Sequence, residues 1–117
     1  MARSSIENVY ADKTKVTEEL IDRYFKMTLR EGNRQALVDR MNAINNEKNT
    51  YLQINTIQQP TLILWGDQDL LVPLSNAHQF HKDLPNSSLV ILKDVGHVPM
   101  EESPIESLAA FTAFLNQ

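Results

Sequence analysis

The 117-residue chain has no cysteine, which excludes disulfides and thiolate metal sites and leaves the redox compartment open. Glycine is scarce, present only as Gly32, Gly66 and Gly96. No block of Lys or Arg occurs, and the formal net charge is −4. Gripping nucleic acid or anionic lipid requires clustered positive charge, so neither partner is expected. No stretch approaches the roughly 20 apolar residues of a membrane span, and the opening "MARSSIENVYADK" lacks the apolar core of a signal peptide. A cytoplasmic location is the resulting expectation.

What is present suits one compact soluble domain. With 42% hydrophobic and 22% charged residues, a chain of this length can bury a single core and is not of disordered composition. Small neutral substrates and protein partners stay open.

The first half reads as helical. In "TEELIDRYFKMTLREG", Thr17 caps a helix whose first turn carries Glu18 and Glu19 against the positive end of the dipole. Leu20, Tyr24 and Met27 share one face, and Gly32 supplies the stop. A second helix is expected from Asn33 to about Ile44, with Leu37, Met41 and Ile44 aligned, followed by a polar linker, "NNEKNTYLQ". The apolar stripes of both helices read as ordinary packing faces.

After Pro60 the pattern changes. "TLILW" and "SLVIL" are short apolar runs of the kind found in parallel strands covered on both faces. Between them Ala77, Phe80 and Leu84 recur at helical spacing, predicting a strand–helix–strand crossover. In "SPIESLAAFTAFLNQ" a capping box is expected, with Ser103 as cap, Pro104 first in the helix and Glu106 three after the cap. The fold class is therefore α/β.

Two loops follow the strands. One presents Asp67 and Asp69; the other, "KDVGHVPMEE", presents His97 behind Gly96. Reactive residues of open α/β sheets sit beyond the carboxyl ends of the strands. Neighbouring parallel strands bring both loops to one edge, within reach of an acid–histidine pair in which the carboxylate fixes the imidazole tautomer.

These residues carry a resemblance. "PTLILWGDQDLLVP" and "GHVPMEESPIE" are similar to the C-terminal end of cap-bearing α/β-hydrolases, and "KVTEELIDRYFKMTLREGNRQALVDRM" resembles their last cap helices more loosely, so the likeness runs from about Val9. It implies a partial α/β-hydrolase fold, with residues 1–58 a helical cap remnant and linker and residues 59–117 the C-terminal βαβα part. It implies that Asp69 is the acid and His97 the base of a Ser-His-Asp triad for ester or carbon–carbon bond hydrolysis of a small-molecule substrate, while Asp67 is a variable loop residue. The family nucleophile occupies a G-x-S-x-G elbow. The three glycines here form none, and Ser75, Ser87, Ser88 and Ser103 do not match it. The resemblance thus implies the closing third to half of an enzyme, inactive alone, with the missing N-terminal half or a second copy covering the sheet.

Other candidates weigh less. Asp69 could be only a turn residue. His78 and His81 stand at i, i+3 but want a third ligand, and the Asp67–Asp69 stretch lacks the glycine and oxygen ligands of a calcium loop, so no metal and no cofactor is expected. "MEES" reads as helix-entry chemistry. The alternative to an enzyme part is a non-catalytic module that self-associates or docks a partner through its open sheet edge.

Overall fold

The computed structural model of the chain describes residues 2–46 and 50–116. Helix α1, Ala2–Glu7, is followed by a 3-10 turn at Lys13–Lys15, then α2, Glu18–Leu29, and α3, Asn33–Asn46. A 3-10 helix at Thr50–Thr56 leads to strand β1, Thr61–Gly66, helix α4, Leu74–Asp83, and strand β2, Ser87–Leu92. The short α5, Pro99–Glu102, and α6, Pro104–Leu115, close the described chain. Among the described residues no helix is long and apolar enough to cross a membrane.

The two strands pair in parallel, from Thr61 opposite Ser87 to Gly66 opposite Leu92. Alternate side chains point to opposite faces. Trp65 packs on Phe80 of α4, with ring centroids 6.4 Å apart, whereas Leu62 and Leu64 face Leu108 and Phe111 of α6 across an open groove. The sheet is therefore sandwiched by helices, but thinly. Among the described residues the buried apolar side chains are Ile6, Tyr10, Ile63, Ala77, Val95 and Pro99. The strands expected to be covered on both faces are mostly half-buried, because β1 has one neighbour and an unpaired outer edge.

Several local expectations change. Thr17 does cap α2, accepting from the Leu20 amide at 3.2 Å, but α2 ends at Leu29, before Gly32. Asn33 terminates it instead, its amide side chain donating to the Met27 carbonyl at 2.7 Å. Gly32, at φ 81, starts α3 by accepting from the Ala36 amide. The stripes on these helices are only partly packed: Leu20 and Tyr24 are half-buried, but Met27, Leu37 and Met41 are half exposed or more. Residues 47–49 of the expected linker lie outside the described residues, and its end is helical.

The capping box at Ser103 does not form. Its backbone is committed to ending α5, its amide donating to the Pro99 carbonyl at 2.8 Å. The hydroxyl instead donates to the Glu106 carboxylate at 2.6 Å. Sequence reading also passed over α1, whose Ile6 enters the core.

Candidate active site

The loop after β1 turns on the side chain of Asp69. Oδ1 accepts from the amides of Leu71 at 2.8 Å and Val72 at 2.9 Å, closing the turn. Oδ2 is left for the imidazole of His97, whose Nδ1 lies 2.8 Å away. The turn reading and the acid–histidine reading thus describe two oxygens of one carboxylate. The Asp69 side chain is 4% exposed and that of His97 36%.

Burial raises the pKa of Asp69, but the Val72 amide, the His97 ring and the Leu71 amide outweigh it and hold the carboxyl below its ordinary value. An ionised carboxylate can only accept, so Nδ1 of a neutral His97 carries the proton and Nε2 is the basic nitrogen.

The two loops are fastened to one another beyond the strand ends. Asp67 and Gln68 donate their amides to the carbonyls of Leu92 and Val95, at 3.0 and 2.9 Å. The Asp67 side chain accepts from the Asp94 amide at 2.7 Å. Asp67 is therefore a brace across the loops, a role richer than the variable position expected. Asp94 sits at φ 58, the left-handed region that Asp tolerates better than most residues. Gly66 and Gly96 are required sterically: a Cβ on Gly66 would overlap the carbonyl oxygens of Val95 and Gly96, and one on Gly96 the carbonyl of Val9.

Sequence reasoning missed the acids after His97. Tyr10, buried, and Tyr24, on α2, both donate their hydroxyls to Glu101, at 2.6 and 2.9 Å. Burial first, and this bond second, push the Tyr10 phenol well above its ordinary pKa. Glu102 is 2% exposed and accepts three backbone amides. "MEES" is thus a double tether as well as the entry to α6, whose N-cap position Ser103 holds. Two adjacent acids four and five residues after His97 were the available signal, but it does not reveal partners 77 to 91 positions away.

The remaining candidates stay apart from the pair. His81 bonds Ser87 through Nδ1, at 2.9 Å, and Ser103 bonds Glu106. No group of three or more metal-ligating side chains gathers among the described residues.

This parallel strand pair, with an aspartate after one strand and a histidine after the next, is an α/β arrangement, and comparison narrows the class. The family model for the alpha/beta hydrolase fold matches residues 3–104, and the chain belongs to that family, with a partial form of its fold. It is similar to the uncharacterized hydrolase YugF of Bacillus subtilis (strain 168), with 33% identity over 97 residues, 83% of this chain and 35% of that protein. Lipase 1 of Psychrobacter immobilis is 36% identical over 55 residues, 47% of this chain and 17% of that protein. Among solved structures, the serine hydrolase CarC of carbazole degradation superposes with a TM-score of 0.86 at 25% identity, over 98% of this chain and 46% of that one. The meta-cleavage product hydrolase CumD of Pseudomonas fluorescens IP01 shares the fold, with a TM-score of 0.83 at 22% identity over 98% of this chain and 44% of that one. The chain spans less than half the length of each of these proteins.

Proposed function

We propose that the chain supplies the acid and base of a Ser-His-Asp hydrolytic triad whose serine lies on the polypeptide that completes the sheet. The observation that carries this reading is the 2.8 Å contact between the buried Asp69 carboxylate and the partly exposed His97 ring. In the completed site Nε2 of His97 takes the serine proton as the hydroxyl attacks a carbonyl, then returns it to the leaving group. A water repeats the cycle to release the acyl group. Asp69 steadies the imidazolium. The substrate class is a small molecule with an ester, or another bond such as the carbon–carbon bond of a diketone. Lipases and a meta-cleavage product hydrolase among the relatives support hydrolysis at this level.

In this reading residues 1–58 are a cap remnant and linker, with residues 9–12 stitched to the second half, and residues 59–117 are the C-terminal βαβα part. The chain alone is inactive, and a cytoplasmic location belongs to the same proposal. A serine-directed phosphonate leaves the 117-residue chain unlabelled, while mixing with a polypeptide carrying the G-x-S-x-G half restores esterase activity that His97→Ala abolishes. Stoichiometric labelling of the chain alone would overturn the reading.

One observation favours a second reading, a non-catalytic module that binds a partner or a second copy. The chain exposes 8781 Å², whereas a compact monomer of 13.4 kDa exposes roughly 6,500 Å². Large apolar side chains contribute to it, Leu70, Ile105, Leu108 and Leu115 among them. An open groove of about 640 Å³ beside β1 is lined by Leu62, Leu64, Met100, Leu108, Phe111 and Phe114. Ser107 at its wall is 6% exposed, and its hydroxyl has no hydrogen-bond partner. Failure of every complementing half to restore activity, with a stable dimer in solution, would favour this second reading.

A further inference from the structure

A buried carboxylate is costly unless its oxygens are fully bonded, so the three amides on Glu102 ask what they hold in place. Oε1 accepts from Asp12 at 2.7 Å, and Oε2 from Gly96 at 2.6 Å and Ala11 at 3.2 Å. The Gly96 amide belongs to the residue immediately before His97. The His97 amide in turn donates to the Val9 carbonyl at 2.7 Å. Lys15 adds a bond to the Glu102 carbonyl at 2.6 Å. Residues 9–12 therefore form a strap across the histidine loop, and Glu102 fastens the strap and the loop together.

Both amides flanking the Gly96 α-carbon are thereby anchored, and the absent side chain at Gly96 allows the strap to lie this close. The approach of His97 to Asp69 is then set from two sides: by the turn that carries Asp69, and by Glu102 gripping the backbone that carries His97. We propose that Glu102 is a positioning residue for His97, holding its ring in register with Asp69; the role rests on the triad reading above. A glutamine at 102 has one carbonyl oxygen where the carboxylate has two, and its NH₂ faces a backbone N–H, so at least one amide is released. Tyr10 still tethers the strap through Glu101, which keeps the fold while the histidine loop loosens.

The test is nitrogen-15 NMR of the imidazole rings in the 117-residue chain, as wild type, Asp69→Asn and Glu102→Gln, with far-UV circular dichroism to check the fold. Wild type shows the His97 proton on Nδ1. Glu102→Gln is expected to lose that signature, moving toward the Nε2-protonated form, with helix content unchanged. If Glu102→Gln exposes the Gly96 amide to exchange yet leaves the His97 ring signals as in wild type, Glu102 is merely structural and the proposal is overturned. The Asp69→Asn arm reports on the underlying pair separately: ring signals unchanged there mean that Asp69 does not set the His97 tautomer, whatever Glu102 does. Should Glu102→Gln fail to fold, Glu102→Asp keeps the charge but withdraws it by one methylene. A partial loss of the same signature supports the proposal, and an unchanged ring refutes it.

Discussion

The α-carbon of Gly66 lies against the carbonyl oxygen of Val95, leaving no room for a side chain between the end of β1 and the histidine loop. Gly66→Ala must therefore push the two loops apart. Overpacking of this kind costs roughly 1–3 kcal/mol. A urea titration should show the loss, and the Asp69–His97 contact should weaken with it.

Acid should destabilise the chain in part through Asp69. Its folded-state pKa lies below the ordinary 3.8, so as pH falls the unfolded chain takes up this proton first. The contribution is complete above about pH 5 and disappears as pH drops through 3.8 and then through the folded value. Urea midpoints measured from pH 7 to pH 3 should fall less steeply in Asp69→Asn. An identical slope in both proteins would refute the assignment.

In a complemented enzyme the same Asp69→Asn substitution should lower kcat by roughly 10³–10⁴-fold, because an amide permits the wrong imidazole tautomer. His97→Ala should do at least as much. A change of less than tenfold in either would place the base elsewhere.

Tyr10 is 3% exposed and bonded to a carboxylate. Hydrogen bonds to charged groups contribute about 1.5–3 kcal/mol, and Tyr24 remains on Glu101, so Tyr10→Phe should cost the lower end of that range. Tyr24→Phe, at a more exposed hydroxyl, should cost less. Denaturant unfolding of the two variants gives the order directly.

Phe111 is 50% exposed at the groove beside β1. Phe111→Glu should reduce self-association in size-exclusion chromatography and weaken complementation, with little effect on the fold of the isolated chain. Unchanged elution of an associated species would remove the groove from any interface.

Legibility followed the range of the interactions. The strand–helix–strand order was readable because apolar runs and helical spacing are local patterns, and parallel pairing then implied that the loops of Asp69 and His97 meet. The stripe of Leu37 and Met41 was equally readable, but the sequence does not say whether anything in the same chain covers it. Ser103 misled because one residue closes α5 and opens α6, so its amide was already spent. Glu102, Tyr10 and the brace from Asp67 to Asp94 were invisible for the opposite reason. Each acts on a partner fixed only by the tertiary fold, and no local spacing encodes it.

The bond between Asp12 and Glu102 spans 90 positions of the chain. At about 5–20 residues per second, a ribosome needs roughly 5–18 s to deliver the second partner after the first. During that interval the Tyr10 hydroxyl and the Ala11 and Asp12 amides lack their acceptors, so the strap can close only once α5 has been made.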